Sequence, residues 1–466
     1  MATLTFYGAT EGVTGSAYLI ETEQSTVLLE CGLIQGRHED EEANNDPFPY
    51  NINQIDAVVL SHAHLDHTGR VPKLVADGYS GPVYMTQPTR DLLEILHMDA
   101  ASLQMKDAEW ESKRRRRAGK PEVDALYTTD DVVAALKQYE GLPYRQRQKI
   151  ADGIDICYRD AGHILGSSIV EIFISEQGVE KKLVFSGDLG NSDAALLKDP
   201  EIIEEADVVL MESTYGDRDH KPMDETLEEF ERIIVEASSN GGNILIPSFA
   251  VGRTQEIIFH LGQLYHKGLL DQQAVYLDSP MAISATEVYE RYQYTFNKED
   301  SEEINHGGTE SLSKYLPILK YSRSTEESMA VNKIAAGAIV IAGSGMCNGG
   351  RIRHHLKHNL WRRDAHVVIV GYQAIGTPGR ALVDGAKVFK MAGEEIAVKA
   401  SIHTLGGFSA HASQTQLIRW VNQFKKPHPR LYLVHGEPDA KKALREKLKG
   451  EGWEPEIPHM GQTITI

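Results

Sequence analysis

The stretch Ser61–His67, SHAHLDH, constrains this chain more than any other. It packs three histidines and an aspartate directly behind Ile55–Leu60, a continuous apolar run that reads as a buried strand ending in a loop. Imidazole and carboxylate ligands suit zinc, whose catalytic sites keep one position for water or substrate. On extended or loop backbone His62 and His64 point the same way and can share one ion. Asp66 and His67 lie one turn further on and can reach a second. The plainer reading is a polar loop with incidental histidines, and the rest of the chain decides between the two.

Other candidate ligands also stand at the ends of predicted strands. His163 lies in DAGHILGSS, Asp188 in FSGDLG after Leu183–Phe185, and His435 in LVHGE after Leu431–Val434. A single histidine beside a strand is more often structural. Together, however, they fill two coordination spheres: His62, His64 and His163 on one ion, Asp66, His67 and His435 on the other, with Asp188 bridging. Two-metal hydrolases hold their ions roughly 3.5–4 Å apart around a shared hydroxide. The expectation is therefore two Zn2+, with Mn2+ able to substitute.

The 466 residues exceed one ordinary core. Up to about residue 216 the pattern is short strands and turns: Leu4–Tyr7, Ala17–Glu21, Thr26–Glu30, Ile154–Tyr158, Ser168–Ile174 and Lys182–Phe185. From 217 to 395 it changes to strands alternating with helices. Asn243–Pro247, Ala274–Leu277, Gly337–Ala342 and His366–Val370 read as buried strands, and Arg253–Tyr265 and Ile283–Phe296 as helices. That alternation argues for a parallel sheet covered on both faces. From 396 to 466 the first style returns. The chain is thus expected to be α/β, a first domain of residues 1–216 and 396–466 interrupted by an inserted domain of residues 217–395.

Composition narrows the function classes. No apolar stretch approaches the roughly 20 residues that span a bilayer, so no membrane role is expected. The N-terminus lacks the basic and apolar regions of a signal peptide, and three scattered cysteines make no disulfide framework; both favour the cytoplasm. A net charge of −19 counts against a general nucleic-acid binder. It leaves room for a nuclease whose basic residues line one groove. The basic clusters Lys113–Arg117 and Arg351–Arg363 are the candidates for such a surface, with solvent-facing helix as the bland alternative.

SHAHLDH, GHILGSS and FSGDLG resemble the motifs of metallo-β-lactamase-fold hydrolases. MESTYGDR, GFSAHA and LVHGE match, in order, the three extra motifs of the β-CASP branch, which processes nucleic acids. PSFAVGRTQE, DSPMA, GSGMCNGGR and GYQAIGTPGR look like its inserted domain. The resemblance covers nearly the whole chain. It implies a four-layer αβ/βα metallo-β-lactamase sandwich with an inserted Rossmann-like β-CASP domain. In this branch a histidine at the last motif, here His435, implies action on RNA rather than DNA. The chain departs from the family's pattern at Glu30, where aspartate is usual, and at Ser413 and Pro378.

The reaction so implied is hydrolysis of single-stranded RNA, endonucleolytic, 5′→3′ exonucleolytic or both. Asp66 and Asp188 act through the metal cluster, and Glu30 orients a ligand histidine. His411 is the candidate general acid, oriented by Glu212. Arg253 and Arg380 are expected to pair with phosphates, Ser248, Ser279 and Ser344 to donate hydroxyl hydrogen bonds, and Tyr372 to stack on a base. A homodimer is compatible with the sequence. The competing readings are a hydrolase of another small phosphodiester or ester, and an inactive RNA-binding partner subunit.

Overall fold

The structure is a computed structural model that describes residues 1–36, 38–192, 194–305, 311–374, 376–391 and 393–466. Its contacts divide the chain into two compact units: Met1–Ser192 with Asp199–Asp219 and His411–Ile466, and Asp193–Lys198 with His220–Ala410.

The first unit is built on two sheets. One has seven strands in the spatial order Thr463–Thr465, Thr3–Phe6, Tyr18–Glu21, Thr26–Leu29, Ala57–Val59, Val83–Thr86 and Tyr139–Leu142. The other has six, ordered Arg430–Leu433, Val208–Met211, Val179–Phe185, Ser168–Glu176, Ile154–Asp160 and Gln148–Ala151. Their inner faces share one core, in which Phe6, Tyr18, Val27 and Val59 meet Ile156, Ile172, Phe185 and Tyr432. Strand residues of opposite parity face outward, as the pleat requires. On the second sheet these are Val184, Val209 and Leu431, which pack under Leu417 and Trp420 of helix Gln414–Val421 and Leu444 and Leu448 of helix Pro438–Gly450. Helices Val71–Ala76, Gln87–Arg117 and Thr129–Leu136 pack with one another on the side of the first sheet. The sequence helix–sheet–sheet–helix is the four-layer sandwich of the metallo-β-lactamase fold.

Strand register decides where the functional loops emerge. Val179–Phe185, Val208–Met211 and Arg430–Leu433 run parallel, with Phe185 opposite Leu210 and Met211 opposite Leu433. Their carboxyl ends are therefore level, and the loops carrying Asp188, Glu212 and His435 leave side by side. In the other sheet Leu29 pairs with Val59, so Glu30 comes out next to the start of SHAHLDH.

The second unit holds one six-stranded, wholly parallel sheet, ordered Leu319–Tyr321, Ala274–Leu277, Ala338–Ala342, Ile244–Pro247, His366–Ile369 and Ser401–Thr404. Its four inner strands are largely apolar and rich in β-branched residues, as those of a sheet covered on both faces must be. Ser401–Thr404 pairs in parallel with His366–Ile369, His366 opposite Ser401. This segment, which reads in the sequence as part of the returning first domain, thus belongs by packing to the inserted unit, because the edge of that sheet offers it a full ladder of hydrogen bonds. The basic run Lys113–Arg117 ends helix Gln87–Arg117 and is tied into pairs with acidic neighbours, Lys113 to Glu109 and Arg114 to Glu111. Among the described residues no helix is long and apolar enough to cross a membrane. All three cysteines are buried and none forms a disulfide.

Candidate metal centre

SHAHLDH leaves its strand as an extended turn and then enters a short helix, Leu65–Thr68, with His64 in the N-cap position. That change of backbone aims His62 and His64 one way and Asp66 and His67 another. Two glycines let the loops close: a Cβ on Gly32 would lie 1.8 Å from the Asp66 carbonyl oxygen, and one on Gly190 would lie 2.0 Å from that of Gly162. The second contact draws the loops of Asp188 and His163 together.

The ring nitrogens and carboxylate oxygens converge. His62 Nε2 lies 3.0 Å from His64 Nδ1, which is 3.2 Å from His163 Nε2. Asp188 Oδ2 is 3.4 Å from His62 Nε2 and 3.5 Å from His163 Nε2. On the far side His67 Nε2 is 3.1 Å from His435 Nε2, itself 3.3 Å from Asp66 Oδ2. Asp188 Oδ1 faces both rings of that group, 3.3 Å from His67 Nε2 and 3.5 Å from His435 Nδ1. Two sets, His62–His64–His163–Asp188 and Asp66–His67–His435, each bring their ligand atoms within 4.8 Å of one another.

The donor set fits a metal. Asp188 is buried, and its Oδ1 has no hydrogen-bond partner, a cost that proteins rarely leave uncompensated. Burial, then the neighbouring His67, pushes the His62 imidazole down to about 3, and burial with His411 holds that of His163 well below its usual range. Those rings are neutral and offer lone pairs to one another. Around His67 the balance is reversed. Against burial, Asp188, Asp66 and Glu30 push its imidazole well above the ordinary value. The cluster calls for positive charge where protons alone would supply it poorly, and a cation among the lone pairs meets that demand.

Three of the rings are held from behind. Glu30, a non-glycine residue at φ 63°, accepts from the Ser61 backbone N–H at 2.6 Å and from Ser61 Oγ at 2.9 Å, and bonds His67 Nδ1. This fixes which His67 nitrogen faces inward. Ser61 Oγ is also 3.0 Å from His62 Nδ1. His435, at φ 48°, donates its backbone N–H to the Ala9 carbonyl at 2.8 Å, and Thr214 Oγ1 stands 3.2 Å from its Nδ1. Sequence reasoning missed Ser61 and Thr214. Their only signal was adjacency, Ser61 to His62 and Thr214 to the Glu212 motif.

His411 and Glu212 also meet. Glu212 is buried; its Oε1 accepts from the Leu189 N–H at 2.7 Å and lies 3.4 Å from His411 Nδ1. The chain at His411 bridges to Gly190, and Ala412 donates to the Leu189 carbonyl at 2.8 Å. Despite its burial, Glu212 followed by Asp188 and Asp66 raises the His411 imidazole to about 9. His411 Nδ1 is 3.9 Å from Asp188 Oδ2, so a protonated imidazole borders the ligand cluster.

The expected groove residues all lie in the second unit. Ser248, Ser279 and Ser344 follow the carboxyl ends of three adjacent parallel strands, and Tyr372, 55% exposed, follows a fourth. In open parallel sheets that edge is the usual place for ligands. Ser279 caps helix Pro280–Arg291, while Ser344 Oγ donates to Asn348 Oδ1 at 2.6 Å. Arg253 departs from expectation. Its guanidinium is buried, paired with Glu256 and set over the Phe408 ring, since the two residues share one helical face three positions apart. Arg380 pairs with Asp384 at 2.9 Å and is more open.

Comparison with known proteins agrees with this geometry. Residues 19–214 match the family described as metallo-beta-lactamase superfamily domain, residues 254–382 the Beta-Casp domain, and residues 395–458 the Zn-dependent metallo-hydrolase RNA specificity domain. The chain is 39% identical over 461 residues to the ribonuclease TTHA0252 of Thermus thermophilus, covering 99% of each. It is 31% identical over 443 residues to the transcription termination factor FttA of Methanocaldococcus jannaschii, covering 93% of this chain and 67% of that one. An RNase J-like protein of the same organism is 31% identical over 440 residues, covering 94% and 93%. In fold the chain resembles a crystal structure of a protein of unknown function from Enterococcus faecalis, with a TM-score of 0.56, 14% identity and full coverage of both chains.

Proposed function

This chain belongs to the β-CASP family of metallo-β-lactamase-fold proteins, and from that premise we propose that it is a zinc-dependent ribonuclease. The observation that carries the proposal is the convergence of seven ligand-type side chains, five of them buried, around an unpartnered Asp188 oxygen, with His411 paired to Glu212 at its border. His62, His64, His163 and Asp188 would hold one zinc, and Asp66, His67 and His435 a second, with Asp188 shared. The ions would acidify a water and draw charge from a phosphoryl oxygen.

The chain's own residues supply the rest. Glu30 holds His67 in one tautomer through Nδ1. His411, kept protonated at neutral pH, gives its proton to the leaving ribose oxygen. Glu212 positions that imidazole, and its own anchoring on the Leu189 N–H leaves it little freedom. In the second unit the hydroxyl hydrogens of Ser248 and Ser344 already go to the Phe249 carbonyl and Asn348 Oδ1, which leaves Ser279 to donate to the RNA backbone, Arg380 to pair with phosphate and Tyr372 to stack on a base. Arg253, already engaged by Glu256, is left out of that set. The name of the Thermus relative and the RNA specificity domain support RNA as the substrate. An inactive partner subunit is disfavoured by the intact ligand set, and a small-ester hydrolase by the His411–Glu212 pair.

The test is cleavage of an internally labelled single-stranded RNA, beside the matching DNA, by the zinc-loaded protein and its Asp66→Ala, His67→Ala variant. Cleavage selective for RNA and abolished in the variant is expected, and the product ladder separates internal from end-directed cutting. A fully metallated protein that cuts neither strand overturns the proposal.

A further inference from the structure

The two basic runs of this chain differ once folded. In the first, Lys113, Arg114 and Arg116 are each paired with an acid, Glu109, Glu111 and Glu122 in turn. The second, Arg351–Arg363, reads RIRHHLKHNLWRR: five arginines and lysines, three histidines and no acid, in a chain of net charge −19. It forms helix Ile352–Asn359 and the turn that follows, within the second unit. The chemistry proposed above uses none of it.

Burial divides this helix into two faces. Ile352, His355, Leu356 and Asn359 are buried, and Ile352, Leu356 and Leu360 pack into the core of the unit. Arg353, Lys357 and Trp361 follow one another four positions apart on the opposite face. Leu360 keeps helical backbone angles, so Trp361 continues that row. Its indole is 56% exposed, which core packing does not explain. Three of the cations serve the fold: Arg351 meets Asp278 at 2.7 Å, Lys357 meets Glu394 at 2.6 Å and Arg362 meets Asp364 at 3.0 Å. Arg353 and Arg363 do not. Arg353 Nε has no acceptor, and neither guanidinium makes an ion pair or hydrogen bond among the described residues. Lys399, also exposed, is drawn beside the turn by its backbone N–H, which donates to the Leu360 carbonyl at 2.7 Å. Unpaired cations around an exposed indole match a single-stranded nucleic acid, which offers phosphates and flat bases in alternation. An acidic protein surface would answer the charges and give the indole no regular partner.

We propose that the outer face of helix Ile352–Asn359 and its following turn form an auxiliary binding surface for single-stranded RNA, Trp361 stacking on a base and Arg353 and Arg363 pairing with phosphates. The choice of RNA rests on the function proposed above. The experiment titrates the zinc-loaded, full-length His411→Ala protein with an oligouridylate while tryptophan fluorescence is followed, so that binding is read apart from cleavage. Of the four tryptophans Trp420 and Trp453 are buried, and Trp110, on the other basic helix, is the exposed control. Saturable quenching is expected, kept in Trp110→Phe and lost in Trp361→Leu. Affinity for labelled RNA should fall about 5- to 100-fold in Trp361→Leu, the loss of one stacked base. In Arg353→Gln, Arg363→Gln the slope of log affinity against log salt should become shallower by about 1.4, at about 0.7 per phosphate on a single strand. Arg114→Gln, Arg116→Gln should leave it unchanged. Quenching that is absent, or that survives Trp361→Leu, overturns the proposal. So does equal quenching by polyglutamate, which would mark an acidic protein as the partner. Quenching at Trp361 in a protein whose wild type never cuts RNA supports this surface and overturns the hydrolase reading alone.

Discussion

Asp188 is buried and its Oδ1 has no hydrogen-bond partner, and that predicts what its replacement does. Asp188→Asn keeps the shape but puts an amide among neutral ring nitrogens, so bound zinc and RNA cleavage should both fall, read by metal analysis and a cleavage assay. Glu30→Asp draws the carboxylate back from His67 and Ser61. Metal affinity should drop about 10–100-fold, the usual effect of losing a group that orients a ligand, with the fold intact by circular dichroism. His411 should behave differently. His411→Ala should keep its zinc and lose about 10²–10⁴-fold in kcat, the range for a positioned acid. The imidazole is raised, so its acid form is present below its pKa and lost as pH rises through it. Glu212 leads the groups that raise it. In Glu212→Gln the basic limb of the kcat profile should therefore move to lower pH; an unmoved limb would remove His411 from the role. The convergence of the candidate ligands was legible in the sequence because four of the seven side chains crowd into one motif. Ser61 and Thr214 were not, since a hydroxyl beside a ligand has no spacing signature. Arg253 shows the opposite failure: a glutamate three positions on, written in the sequence, takes its charge.

At the level of elements, the site depends on register more than on any loop. Three parallel strands end level and release Asp188, Glu212 and His435 together. Helix Pro438–Gly450 adds a second constraint through Lys441, only 1% exposed, whose ammonium donates to the Thr10 carbonyl. The neighbouring Ala9 carbonyl receives the His435 N–H. Burial lowers the Lys441 ammonium to about 8. Between that value and its unfolded value, about 10.4, the unfolded chain binds more protons than the folded one, so this group's contribution rises with pH. The stability of the wild type relative to Lys441→Met, followed by urea denaturation, should increase from pH 8 to pH 10 and stay level below pH 7. Most strands were legible from their apolar runs. The end of the inserted unit was not, because Ser401–Thr404 is four residues of mixed polarity whose sheet is decided by a partner strand far away in sequence.

For the whole molecule, a net charge of −19 sits uneasily with an RNA substrate. With two zinc ions bound as proposed, the cations of the centre and local groups, not a generally basic surface, would offset that charge. It follows that the metal-free chain carries buried carboxylates and lone pairs with only the protons of His67 and His411 as counter-charge. Ligands that bind only the folded state stabilise it by mass action, about 2.7 kcal/mol at a hundred times Kd. Chelation should lower the thermal midpoint, and added zinc should restore it in a concentration-dependent way. The most direct test joins that titration to the chemistry: chelated protein receives zinc in measured steps while cleavage of labelled RNA is followed. The account predicts no cleavage without metal, and a rise that levels off at two equivalents per chain. Cleavage that survives complete chelation, or its absence with two zinc ions bound, would contradict it.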